Sequence, residues 1–293
     1  MAMNKKGMFF TIGTIFLIGL LILTIQTQRE EPQSISTRIS TMNYFVEDYE
    51  NDLQRVGEIV GKRALVAITN DIIKQKEYRT NVKKDFVELF LLKTLDNNPN
   101  KYMKNTSIND WINQIELAAN KLNLNFYAEI KEVTLTQSTP FYIDVKIKTN
   151  NELKGKLAEF NFNSTITSRI HIEGLEAPIY SLSTYNQISR IIRFADKENV
   201  LDNTLKGYFM HNPSAPSYLN RLEGKTTGSE YGIESLVNIQ ELADKNMDIK
   251  RKSIADYIYF SELNPTAYQI QNTKNWFMLD TEHADYYNLK IEE

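Results

Sequence analysis

The sequence predicts an α+β protein: an N-terminal transmembrane helix continuing into a long amphipathic helix packed on an antiparallel sheet, with a further β-rich C-terminal part. Three observations carry this. An uncharged apolar run opens the chain, a 3.5-residue apolar repeat follows it, and past residue 125 the period of the pattern changes to 2. They divide the 293 residues into a basic leader (1–7), a transmembrane helix (8–28), a long amphipathic helix (33–76), an α+β head (77–173) and an irregular, β-rich region (174–293).

The apolar run is Met8-Phe-Phe-Thr-Ile-Gly-Thr-Ile-Phe-Leu-Ile-Gly-Leu-Leu-Ile-Leu-Thr-Ile25. Eighteen residues at the helical rise give roughly 27 Å, close to a bilayer's hydrocarbon core. Its Phe, Ile and Leu residues favour insertion by about 4 to 7 kcal/mol before Gly and Thr are counted against them. A core helix normally keeps a polar face, and this run has none. Lys5 and Lys6 precede it, while Arg29, Glu30 and Glu31 follow with no net positive charge. The positive-inside rule therefore leaves the N-terminus in the cytoplasm and residues 30–293 outside. No small-residue cleavage site follows the run, so it is expected to stay attached as an anchor.

The helix that follows has a narrow seam. Ile35, Ile39, Met42, Val46, Tyr49, Leu53, Val56 and Val60 alternate spacings of four and three, and Ala64, Ala67, Ile68 and Ile72 extend the face. Charged and polar residues fill the positions between. Such a seam needs another helix or a sheet against it. Pro32 lacks an N–H, so it should start this second helix or kink a continuous one.

A short basic leader ending in Gly, an apolar helix beginning directly after it, and an amphipathic continuation together resemble the N-terminus of type IV pilins and pilin-like proteins. On that resemblance Lys5-Lys6-Gly7 followed by Met8-Phe9-Phe10 is similar to a prepilin peptidase site, with cleavage between Gly7 and Met8. Most major pilins carry Glu five residues after the cut. That position here is Ile12, which suits a minor or accessory subunit better than a main-shaft one. An ordinary signal anchor whose leader contains Gly is the plainer reading of the same residues.

The head begins with helices. Val82, Phe86, Leu89 and Phe90 recur at helical spacing within Thr80 to Leu95, and Asp96-Asn-Asn-Pro-Asn100 ends that helix with turn chemistry. Ser107 reads as the N-cap of a second helix with Ile108, Trp111, Ile112, Ile115, Ala119 and Leu122 on one face. Three strands follow. Phe126 to Leu135 alternates with one slip, which marks a bulge; Phe141, Ile143, Val145 and Ile147 alternate with polar residues after a turn at Gln137-Ser-Thr-Pro140. In the third, Phe160, Phe162, Ile166, Ile170 and Ile172 face one way, and Asn161, Asn163, Thr165, Thr167, Arg169 and His171 the other. This is an antiparallel meander with one oily and one wet face, a natural partner for the helix seam.

Past Glu173 short apolar runs are separated by turns, and further strands are expected there. The blocks Ile172-Glu-Gly-Leu-Glu-Ala-Pro-Ile-Tyr180, Tyr231-Gly-Ile-Glu-Ser-Leu-Val237, Asp256-Tyr-Ile-Tyr-Phe260 and Trp276-Phe-Met-Leu-Asp280 resemble a group of uncharacterised archaeal membrane-anchored proteins with pilin-like N-termini. That resemblance implies no activity.

Composition narrows the chemistry. With no cysteine, thiolate catalysis, Cys-ligated zinc and iron–sulfur clusters are excluded. A net charge of −3 gives no nucleic-acid footprint. Leu222-Glu-Gly-Lys-Thr-Thr227 echoes a P-loop, but Leu219 stands where its first Gly belongs. In Gly228-Ser-Glu-Tyr-Gly232 the Ser sits one place too early for a nucleophile elbow. Of three histidines, His171 lies on the wet strand face and His211 in a Pro-rich loop. Asp280, Glu282, His283 and Asp285 form the one cluster able to ligate a cation, with a solvated helix or turn as its default. Asn105 and Asn163 open glycosylation sequons. No cofactor is expected.

These readings lead to a membrane-anchored extracellular pilin-like protein, a minor or accessory subunit of a surface filament. Its expected partners are the lipid bilayer through residues 8–28 and other pilin-like subunits through the helix seam. Two alternatives stay open: a single-pass surface receptor or adhesin binding glycan or protein through the loops of residues 174–230, and an extracellular enzyme of unknown type.

Overall fold

The structure is a computed structural model in which residues 5–156 and 158–292 are described, with side chains from residue 37 onward except that of Arg38. It is mixed α+β, built on one long helix, α1 (Lys5–Gln75). Its backbone stays helical through Pro32, so Pro32 does not begin a separate helix, and the expectation of one continuous helix through it is the one met. Proline inside a helix loses one hydrogen bond and crowds the carbonyl four residues back, a cost of about 3 kcal/mol that the intact turns on either side offset. Lys76, in the left-handed conformation (φ 60°), ends it. The expected membrane span at residues 8–28 and the first seam position, Ile35, fall on side chains outside the described set. Among the described residues no helix is long and apolar enough to cross a membrane.

From Met42 onward the seam is buried as its spacing predicts: Met42, Tyr49, Leu53, Val60, Ala64, Ala67, Ile68 and Ile72 all lie in the core, while Ile39 remains exposed. The surface it meets is a three-stranded antiparallel meander, β3 (Asn125–Thr139), β4 (Tyr142–Lys154) and β5 (Glu159–His171), in that order. The expected bulge is present as a register shift between Ile130 and Glu132. The turn lies later than expected, at Pro140-Phe141, because β3 pairs on to Thr139.

The helix runs along β5 in the same direction. Glu50 accepts from Ser164 Oγ (2.7 Å), Gln54 C=O accepts from Ser168 Oγ (2.7 Å), and Lys62 Nζ reaches the Glu173 carbonyl (3.3 Å). Gly57 and Gly61 allow this close approach. A methyl group on Gly57 would sit 2.2 Å from Ser168 Oγ, and one on Gly61 2.4 Å from Ile170 Cδ1. At the other end of the sheet Tyr49 stacks on Trp111 and hydrogen-bonds Asn151 (3.0 Å), so the one polar tip in that part of the seam is satisfied.

Two helices close the layer. The first, α2 (Val82–Leu92), is capped by Asn81 and stopped by Lys93 in the left-handed region. A two-residue hairpin follows, β1 (Thr94–Leu95) and β2 (Asn98–Pro99), turned by Asp96 and Asn97, both with positive φ. The second, α3 (Ile108–Lys121), has Ser107 as N-cap in a full capping box with Asp110. Leu122, expected on its buried face, is exposed; the helix ends one residue earlier and Leu124 takes the buried place. Arg79 ties the segment together, bonding Asp85 (2.7 Å), Asp96 (2.9 Å) and Asp71 (3.2 Å).

The region 174–293 departs most from expectation. Rather than β-rich, its described part has six short helices and four three-residue strands: α4 (Pro178–Ser183), α5 (Val200–Lys206), β6 (Phe209–His211), α6 (Tyr218–Leu222), β7 (Ile233–Ser235), α7 (Ile239–Asp244), α8 (Asp256–Tyr259), β8 (Ala267–Gln269), β9 (Met278–Asp280) and α9 (Thr281–Tyr286). Ser253 to Phe260, expected as a strand, contains α8. The cause is local: elements of three to seven residues repeat a pattern at most about twice, so tertiary burial decides their form. One continuous apolar core nevertheless joins this region to the helix and meander. Tyr218 OH and Thr69 Oγ1 lie 3.1 Å apart, and the Leu222 carbonyl accepts from Arg79 N–H (3.1 Å).

Candidate functional site

The polar chemistry of the chain concentrates where β6, β7, α8 and α9 meet. In β7 all three residues, Ile233, Glu234 and Ser235, are buried, which puts a carboxylate in the core. A buried charge must be paired or strongly hydrogen-bonded. Glu234 takes hydrogen bonds from Asn212 Nδ2 (2.8 Å), from the Tyr287 hydroxyl, and from His283 Nε2 (3.1 Å). The other ring nitrogen of His283 lies 2.8 Å from Asp280, whose second oxygen accepts from Ser253 Oγ (2.7 Å). Asp280 also caps α9 through the His283 N–H (3.1 Å).

With a carboxylate on each ring nitrogen, His283 has acceptors for two N–H groups and is an imidazolium. Burial works against that charge, but Glu234 and Asp280 outweigh it and raise the pKa to about 10. Burial would likewise raise Asp280, yet the bonds from His283 and Ser253 bring it down to about 2. Tyr257, 3.3 Å from His283 Nε2, and Tyr287 are both pushed up, first by burial and then by the Glu234 charge.

A second buried pair lies beside the first. Arg221 donates to both oxygens of Asp256 (2.7 and 3.1 Å) and twice to the Ile233 carbonyl (2.9 and 2.6 Å). Ser235 Oγ donates to Asp256 (2.9 Å) and accepts from Tyr180 (2.7 Å). Every polar tip in the network has a partner, the condition under which a buried network fixes one arrangement.

Its chemistry follows. His283 is 1 % exposed and already protonated at neutral pH, so it has no free site with which to take a proton, nor a path to a substrate. The network holds structure. It fixes the relative positions of β6, β7 and α9, and over them lies a groove of about 470 Å³, lined by Pro140, Phe141, Phe194, Asp196, His211 and Tyr286 among others. The Tyr286 hydroxyl bonds the His211 carbonyl (2.9 Å), Lys197 Nζ sits 4.8 Å from the Tyr286 ring, and Phe194 leans on Phe141 at 4.7 Å.

The cation-site candidates do not converge. Asp280 and His283 are buried against each other, correcting the expectation of a solvated turn; Glu282 is exposed and accepts from Ser214 Oγ, and Asp285 is exposed. Among the described residues no group of three or more acidic or histidine side chains is placed to hold a metal ion. Asn105 and Asn163 are both exposed, the first in a turn with φ 55°, the second on the wet face of β5. Gly7 and Met8 lie in the first turns of α1, with side chains outside the described set. His171 stacks on Tyr142 at 4.7 Å.

Sequence reasoning missed Arg221, Glu234 and Asp256, which organise this half of the molecule, and Arg79, which ties α1, α2 and the β1–β2 hairpin together. A signal existed for two of them. Glu234 and Asp256 each sit inside an apolar run, Ile233-Glu-Ser-Leu-Val237 and Ile254-Ala-Asp-Tyr-Ile258, where an isolated carboxylate implies a buried partner. Which cation supplies it is not a local property. Compared with protein-family models, curated proteins and solved structures, the chain matches none of them.

Proposed function

We propose that this chain is a membrane-anchored, pilin-like surface subunit of a structural or accessory kind, its head held outside the cell by α1. The observation that carries this reading is the unbroken helix. The element that contains the uncharged run of residues 8–25 is also the spine of the head, with no joint between them. At the helical rise 71 residues extend about 107 Å, of which the head occupies roughly the last 50 Å, from Met42 onward. With residues 8–28 in a bilayer, the head stands about 20 Å clear of it. A rigid rod suits presentation and lateral packing better than a flexible tether would. The leader Lys5-Lys6-Gly7 supplies the pilin-like processing signal, and Ile12 points to an accessory rather than a shaft subunit.

The test is intact mass and N-terminal sequencing of the protein extracted from native membranes. The expected first residue is Met8. Recovery of membrane protein that retains residues 1–7 throughout would reject the pilin-like reading and leave a plain signal anchor.

A further inference from the structure

The groove over the ionic network has a composition that selects its occupant. Phe194 is 47 % exposed although it is large and apolar, and its ring lies 4.7 Å from that of Phe141. Beside it the Asp196 carboxylate has no hydrogen-bond or ion-pair partner among the described residues. His211 Nε2 lies 2.9 Å from the Glu230 carbonyl. A carbonyl only accepts, so Nε2 carries a proton and donates it there. The groove thus offers one open aromatic face, one unpaired carboxylate and one ammonium donor, Lys197, whose charge offsets that of Asp196.

An anionic ligand would meet Asp196 and too few donors. A purely apolar one would leave the carboxylate unpaired at a cost. A neutral ring with an apolar C–H face and several O–H donors satisfies all of them. We propose that this groove is a binding site for a neutral pyranose unit of a saccharide, its C–H face on Phe194 and its hydroxyls on Asp196 and Lys197. At about 470 Å³ it falls within the range of small-molecule sites, about 300–1,000 Å³. The network and the Tyr286–His211 bond hold β6 and α9, while Ala195 N–H bonds the Phe209 carbonyl (3.0 Å) and the Phe141 carbonyl accepts from Ile172 N–H (3.1 Å), so the site is preformed and ligand binding need not order it. This stands whether or not the leader is cut, because it uses no residue before Pro140.

The experiment uses the full chain in lipid nanodiscs, which avoids sugar detergents. Saturation-transfer NMR and calorimetry are run with cellotriose, N-acetylchitotriose and mannotriose, and with an oligogalacturonate and a proline-rich peptide as contrasts. At least one neutral sugar should receive saturation and bind with millimolar or better affinity. Phe194→Ala should weaken it about tenfold, Phe194→Tyr should retain it, and Asp196→Asn should weaken it several-fold. Asp196 is exposed and unpaired, so its variant keeps the test open even if Phe194→Ala does not fold. Binding to none of the neutral sugars, binding unaffected by the Asp196 and Phe194 variants, or preference for the acidic sugar or the peptide would each overturn the proposal.

Discussion

His283 takes up its proton far more readily in the folded chain than in the unfolded one, about 10 against 6.5. The stabilisation this brings is complete below about pH 6.5 and fades as the pH climbs through 10. Asp280 moves the other way, to about 2 against 3.8, so its contribution is present above pH 3.8 and fades as the pH falls through 2. Urea unfolding should therefore show greatest stability between about pH 4 and 6.5, with a slow alkaline decline that His283→Gln flattens. Glu234→Gln leaves a buried imidazolium with one carboxylate instead of two. Breaking a buried pair in this way costs about 3–5 kcal/mol. Equal stability of wild type and Glu234→Gln at pH 6 would mean that the network contributes little.

At the scale of elements, α1 lies close against β5, and Gly57 sets that approach. Gly57→Ala removes a helix-disfavouring residue, worth about 1 kcal/mol in its favour, but drives a methyl into Ser168 and Ile147. Ser168 is fully buried and tied to the Gln54 carbonyl, so it has nowhere to go. Overpacking typically costs about 1–3 kcal/mol, and a net loss is expected in thermal melts. Gly61→Ala should cost less, because it meets only the far end of the Ile170 side chain and the rim of Phe86. A Gly57→Ala protein more stable than the wild type would show that helix and strand are not in this contact. The same elements explain what could be read from the sequence alone. The seam from Met42 to Ile72, the Ser107 cap, the bulge near Lys131 and both faces of β5 were legible, because each repeats over several periods or is a local signature. Gly57 and Gly61 were present four residues apart, yet their meaning lies in what faces them. The pieces after Glu173 are too short to repeat a pattern more than about twice, and Asp256, Glu234 and His283 are far apart in sequence though joined in space. Their roles are set by packing, which residue order does not display.

For the whole molecule, the rod formed by α1 gives the head a direction. Its N-terminal end leads toward the apolar run, and the ionic network with its aromatic groove lies beyond the opposite end of the sheet. On the proposed anchored reading, the proposed saccharide site would face away from the membrane, and Asn163 on the wet face of β5 would be open to the exterior. The absence of cysteine makes this orientation directly measurable, since a single introduced thiol reports its own surroundings. The decisive measurement is labelling of intact cells with a membrane-impermeant maleimide, comparing Asn163→Cys with Leu17→Cys. Labelling of Asn163→Cys on intact cells, with Leu17→Cys reactive only after denaturation, is the expected result. Protection of Asn163→Cys in intact cells, or ready labelling of Leu17→Cys in protein free in the soluble fraction, would contradict the anchored, outward-facing head.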